Sequence, residues 1–143
     1  MFSVFRQVLP RRAAGAFLLG AAVLWLAGCA AMKPKTPEEI VIQRSQERWA
    51  AMIGNDFDLA WTYTQPGYRA IVQQRDYHKR FGGAGQWKAA KVIEARCEAE
   101  KCTVYISLTT QVLVPPFTGN QVTGRIEEVW VREDDQWWCY QAL

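Results

Sequence analysis

Trp87-Lys88-Ala89-Ala90-Lys91-Val92-Ile93-Glu94-Ala95-Arg96-Cys97 and, four residues on, Cys102-Thr103-Val104-Tyr105-Ile106-Ser107-Leu108 decide the fold. The odd positions of the first run share a face and the even positions of the second do, the two-residue period of strands. A hairpin turning through Glu98-Ala99-Glu100-Lys101 sets Cys97 opposite Cys102, Ala95 opposite Val104 and Ile93 opposite Ile106, all on one side. The register that aligns the apolar side chains also aligns the sulfurs. A Cys97–Cys102 disulfide is therefore expected, with Cys139 as the odd thiol, and so short a loop contributes only about 2 kcal/mol in the chain-entropy model. A four-residue gap is not CxxC spacing, and with His78 as the single histidine no metal is expected.

Beyond the hairpin, Pro115-Pro116-Phe117-Thr118-Gly119-Asn120 reads as a turn, and a strand follows from about Gln121 to Arg132. Glu133-Asp134-Asp135 turns again into a last strand from Gln136 to Gln141. In the third strand Val122, Ile126 and Trp130 share one face while Val129 and Val131 share the other. A bulge near Glu127-Glu128 would reconcile them, as would burial on both sides.

Upstream, the chain reads as helices. Thr36-Pro37-Glu38-Glu39 supplies a threonine N-cap, a proline at the first helical position and a glutamate completing a capping box. The helix it starts runs from Pro37 to Ile53 with Val41, Ser45, Trp49 and Met52 as its apolar stripe, and Gly54-Asn55 ends it. Asn55 is expected to cap a short second helix carrying Phe57, Ala60, Trp61 and Thr64, broken by Gln65-Pro66-Gly67. A third lies around Gln74 to Phe81, and Gly82-Gly83-Ala84-Gly85 closes the helical half.

The pattern predicts an α+β domain with three N-terminal helices packed on a curved antiparallel four-stranded sheet. The order of elements, with Gly54-Asn55-Asp56-Phe57-Asp58-Leu59-Ala60-Trp61 before Pro66-Gly67-Tyr68-Arg69, then Tyr77, Phe81, Trp87 and a terminal Gln136-Trp137-Trp138, resembles the nuclear transport factor 2-like cone fold. It is similar in particular to small proteobacterial lipoproteins carrying that fold. The resemblance implies a conical cavity between sheet and helices, which some members use as an active site and others for packing or protein contact.

Trp49, Trp61, Tyr63, Tyr68, Trp87, Tyr105 and Trp130 are candidates to line such a pocket, with core packing as their ordinary alternative. Arg69 is expected in an ion pair. An enzyme in this fold would need a general base reaching into a dry cone beside an enolate-stabilising donor. Asp76 and His78 point to different faces of their helix, and Glu94 and Glu128 are strand acids with an inward orientation open to them and a water-facing one at least as favoured. No serine motif or glycine-rich phosphate loop appears, so no catalytic residue and no cofactor are assigned. The expected role is a non-catalytic interaction module. A cone binding a small apolar ligand is the alternative, and an isomerase or cyclase-like enzyme a further one.

The address comes from the other end of the chain. Arg6, Arg11 and Arg12 precede a 15-residue apolar run from Ala13 to Ala27, too short for the roughly 20 residues of a membrane span. Leu26-Ala27-Gly28-Cys29 closes it and resembles the lipobox of bacterial lipoproteins. Residues 1–28 are thus expected to be a signal peptide, 29–35 a lipidated tether and 36–143 a single domain. The lipid on Cys29 would anchor the protein to the outer membrane facing the periplasm, or otherwise to the periplasmic face of the inner membrane. From Cys29 onward the Lys and Arg residues, 17 less the three in the leader, equal the 14 Asp and Glu, so no nucleic-acid partner is expected. The expected partners are the membrane and an envelope protein, with a homodimer as a further arrangement.

Overall fold

The structure is a computed structural model that describes residues 33–81 and 83–143. The leader and Cys29 lie outside the described residues. Helix α1 spans Pro37–Ile53. The Thr36 side chain accepts from the Glu39 amide at 3.3 Å and the Glu39 carboxylate accepts from the Thr36 amide at 2.8 Å, a capping box that contributes about 1 kcal/mol. Its buried stripe is Val41, Ser45, Arg48, Trp49 and Met52. Asn55 ends it in the left-handed region at φ 60°, and Asp56 rather than Asn55 caps the next helix by accepting from the Leu59 amide.

Three short helices follow: α2 (Phe57–Thr62), α3 (Pro66–Ile71) and α4 (Gln74–Lys79), then a 3-10 turn at Ala84–Gln86. The expected arrangement of three N-terminal helices is corrected here, because the described residues form four α-helices. Gln65-Pro66-Gly67 does not simply end α2. Pro66 needs no amide partner and its fixed φ suits the first helical position, so the same residues that stop one helix start another.

The sheet is an antiparallel meander of β1 (Trp87–Glu98), β2 (Lys101–Gln111), β3 (Gln121–Glu133) and β4 (Gln136–Cys139), in that spatial order. Cys97 faces Cys102 and the two form a disulfide, and Ala95 faces Val104. The register then shifts between Val92 and Glu94, so Val92, not Ile93, meets Ile106. Ile93 is left 52% exposed while Val92 is buried. A bulge at this edge strand restores an apolar residue to the inner face, which strict alternation would not have done. No bulge interrupts β2 and β3, which pair continuously from Lys101↔Val131 to Gln111↔Gln121. Val129 and Val131 are instead half-buried on the outer face, opposite Ile126 and Trp130.

The β3–β4 turn uses Asp134 and Asp135 at φ 51° and 59°, the two positive values of a tight hairpin whose twist matches its strands. Beyond β4, Tyr63 to Gln65 close the open edge: the Cys139 amide donates to the Tyr63 carbonyl at 2.9 Å and the Gln65 amide to the Cys139 carbonyl at 3.3 Å. Between α1 and the sheet lie Val41, Met52, Tyr77, Val104, Ile106 and Trp130, each fully buried. In this interior Tyr77 packs edge-on against Tyr68 at 6.4 Å and against Phe81 at 4.8 Å. All of the core belongs to Lys35–Leu143, which forms one compact unit with what it needs to fold by itself.

Candidate functional site

Three places on this scaffold combine chemistry with position: a polar cluster in the core, a cationic cleft at one end of the sheet and an apolar loop at the other. The core cluster begins on α1, where Ser45 and Arg48 lie on the buried stripe. Glu128 of β3 shares the inner face with Ile126 and Trp130 and meets them. Arg48 pairs with the Glu128 carboxylate, Ser45 Oγ donates to it at 3.1 Å and Trp130 Nε1 reaches it at 3.4 Å. The second Arg48 nitrogen donates to the Tyr77 hydroxyl at 2.9 Å, and that hydroxyl points on to Met52 Sδ at 3.8 Å.

Electrostatics lock these charge states. Burial opposes the Arg48 charge, but Cys139, Glu128 and Tyr77 facing it hold its pKa above the ordinary arginine value. Burial pushes the Cys139 thiol up to about 12, against the pull of Arg48. Cys139 is therefore neutral near pH 7, and the Glu128 carboxylate is the counter-charge to Arg48. Burial also raises the Tyr77 hydroxyl. Neither group is poised as a base: the carboxylate is neutralised by a guanidinium, and the tyrosine holds its proton.

The cleft lies where the start of α1 approaches the β3–β4 turn. It encloses about 290 Å³ and is lined by Lys35, Pro37, Ile40, Arg44, Arg132, Asp135, Gln136 and Trp137. Arg132 is occupied by Asp135 at 2.8 Å and Glu100 at 3.6 Å, and Lys35 donates to the neutral Gln43 amide. Arg44 is different. Its guanidinium lies over the rings of Tyr63 and Trp138, each centroid at 5.2 Å, and its buried Nε has no hydrogen-bond partner. Desolvation lowers its pKa, with Tyr63 and Glu47 acting against that and Arg69 adding to it. Arg69 stacks on the same Trp138 ring at 4.7 Å and donates to the Thr62 and Thr64 carbonyls. The ion pair expected of Arg69 is not found among the described residues, where its Nη1 serves the two carbonyls instead. Around Trp138 two like charges are thus held by rings and carbonyls, with no carboxylate on either among the described residues.

At the far end of the sheet, residues 112–120 join β2 to β3 as an ordered apolar tip. The Val112 amide donates to the Asn120 carbonyl at 2.8 Å, Gly119 to Val112 at 2.9 Å and Phe117 to Val114 at 3.0 Å. Leu113, Val114 and Phe117 are 54%, 69% and 61% exposed. No charged residue occurs from Cys102 to Gly124, so the tip itself carries no charge. Ordered backbone with protruding apolar side chains is uncommon on a surface without a contact to make.

The pocket candidates disperse. Trp49, Tyr68 and Trp130 are core residues, and Trp61 and Tyr63 are half-buried, spending their polar atoms on the Val72 carbonyl and the Glu47 carboxylate. Trp87 packs against Trp49 at 5.2 Å. Tyr105 lies on the opposite face of the sheet, because odd positions of β2 point outward, and is held between Arg125 and Arg96, which share Glu94. His78 bonds Asp58 at 2.6 Å and Asp76 bonds Lys79, so Asp76 and His78 serve surface contacts rather than one site. The residues missed from sequence were Arg44 and Arg48, while Glu128, weighed there as an inward acid but read as solvated, turns inward. Parity already placed Glu128 with Ile126 and Trp130, and helical spacing placed Arg48 with Ser45 and Met52. A polar residue on each of two apolar faces was the available signal.

Among the described residues no group of three or more His, Cys, Asp or Glu side chains could hold a metal, and no helix is long and apolar enough to cross a membrane. No family model matches the chain. No curated protein matches it either. Its fold is similar to the solution structure of a SEC-C motif containing protein from Rhodopseudomonas palustris, with a TM-score of 0.52 at 15% identity, covering 73% of this chain and 76% of that one. At this identity the likeness concerns the fold alone. It replaces the expected nuclear transport factor 2-like cone assignment, which neither the four-helix arrangement nor the matching structure carries.

Proposed function

We propose that this protein is a non-catalytic interaction module of the cell envelope, anchored by a lipid on Cys29 and engaging a protein partner through the apolar tip at Leu113, Val114 and Phe117. The exposed tip is the observation that carries this reading. Lys35 leads into α1 beside the β3–β4 turn, at the opposite end of the sheet from residues 112–120. β3 has 13 residues, which at about 3.3 Å each separate its ends by about 40 Å. The segment from Cys29 to Lys35 reaches at most about 20 Å. A lipid at Cys29 would therefore hold the turn end near an outer-membrane surface and leave the tip pointing into the periplasm.

One observation favours the apolar-ligand alternative: a cleft of about 430 Å³ beside Trp49, lined by Ala50, Ile53, Ala89 and Ala90. It is shallow, whereas the tip protrudes.

A photo-crosslinking residue at Phe117, used in the native cell, should yield one discrete adduct with an envelope protein. The same residue at Thr103, on the outer sheet face, should not. Phe117→Asp with Val114→Asp should abolish co-purification of that partner while leaving the melting temperature within about 2 °C, since both side chains are exposed. Equal crosslinking from both positions, or co-purification that survives the double substitution, would sink the reading. Intact mass of the Cys29→Ser chain tests the anchor, which predicts an unacylated, uncleaved product.

A further inference from the structure

We propose that the cleft between the start of α1 and the β3–β4 turn binds a phosphate ester, with Arg44 and Lys35 as its anion ligands. The inference goes beyond the docking tip and does not rest on it, because the two lie at opposite ends of the sheet.

The cations near this end of the sheet differ in what already engages them. Arg48 is engaged by Glu128 and Tyr77 and Arg132 by Asp135 and Glu100, while Arg69, which does not line the cleft, gives its Nη1 to two carbonyls. Arg44 has no ion pair among the described residues, and its buried Nε lacks any acceptor. The Nε of Arg48 is orphaned in the same way, so what marks Arg44 is that it is half-buried at the cleft wall and gives no side-chain hydrogen bond among the described residues, which leaves its terminal nitrogens for an oxyanion in the cleft. Glu47 is the nearest carboxylate that acts on Arg44, and it already accepts from the Tyr63 hydroxyl at 3.1 Å and the Gln43 amide at 2.8 Å. Lys35, whose one partner is the uncharged Gln43 amide, adds a second cation at the cleft wall.

Shape narrows the ligand. The Tyr63 and Trp138 rings hold the Arg44 guanidinium in place, so little freedom is lost when an oxyanion docks on it. About 290 Å³ holds a phosphate with a few attached carbons, and Pro37, Ile40 and Trp137 offer those carbons an apolar wall. The one acid of the cleft, Asp135, is turned to Arg132. The phosphate can belong to a lipid headgroup or to a soluble ester. A headgroup is within reach if Cys29 carries the anchor, and only that choice of source leans on the anchoring reading.

The test uses residues 35–143, the compact unit. Calorimetric titration with glycerol 3-phosphate at 150 mM NaCl should show binding that glycerol does not. Arg44→Met should weaken it at least tenfold and Lys35→Gln several-fold, with unchanged melting temperatures, while Phe117→Asp leaves it intact. Lys35 is exposed, so its variant keeps the test alive should Arg44→Met fail to fold. Flotation with phosphatidylglycerol against phosphatidylcholine vesicles then separates the sources: flotation with the anionic vesicles alone identifies a headgroup, and ester binding without flotation a soluble ligand. No saturable ester binding, or binding indifferent to both substitutions, overturns the proposal.

Discussion

Arg44 and Arg48 stand one turn apart on α1, yet one is a structural charge and the other a spare one. Arg48 points into the core, where Glu128 enters from β3 and Ser45, Tyr77 and Trp130 complete the shell. Arg44 points along the β4 edge, where it meets two rings, a second arginine and an open cleft. The residue type is the same and so is the helix. What differs is whether the opposing strand brings a carboxylate. A guanidinium met by an acid in a dry interior is held for the fold, whereas one stacked on rings at a wet boundary keeps its donors for something else.

The contrast can be broken most severely at Glu128. Glu128→Leu alone strands the Arg48 charge and should cost about 3–5 kcal/mol in urea unfolding. Adding Arg48→Met to it should restore most of that loss, because two apolar side chains of similar volume replace the pair. An equal loss in the double variant would mean that the pair does more than cancel itself.

Alkaline unfolding sharpens the same side of the contrast. Burial raises the Cys139 thiol from 9.0 to about 12, so the folded protein keeps a proton that the unfolded chain releases. Stability from this source is complete below pH 9 and falls as pH rises toward 12. Tyr77 and Tyr68, which burial raises from 10.0, add to the loss at higher pH. In Cys139→Ala the decline measured by denaturant midpoints should therefore begin near pH 10 rather than near pH 9. An onset that does not move would show the thiol to be hydrated.

The smallest effect is expected at the other arginine. Arg44→Met removes stacking on Tyr63 and Trp138 but no ion pair, and should change stability by less than about 1 kcal/mol. A loss of several kcal/mol would place Arg44 in the same class as Arg48 and end the comparison.

Much of the architecture was legible because its signals are local. The capping box at Thr36 and Glu39 and the break at Gly54-Asn55 mark both ends of α1, and the two cysteines mark a hairpin register. Local signals also misled. Alternation through Ile93 counted one residue per step, and only packing against α1 selects the bulge that exchanges it for Val92. Pro66 reads as a stop when its own segment is scanned, but it also opens α3, a choice made by the need of Tyr68 for the core. The aromatic residues were visible as a set, but their division between core, edge and outer face was not.

The sequence by itself determined the periodicities: where α1 begins and ends, which strands follow one another, and that Cys97 can face Cys102. These depend on residues a few positions apart, whose geometry the backbone dictates. Tertiary structure alone decided which charge is buried and which is free. Arg48 and Glu128 are 80 positions apart, and only the crossing of α1 over the sheet brings them together. The same crossing carries Arg44 past the edge of the sheet, where no acid waits, because electrostatic pairing depends on distance in space and not along the chain.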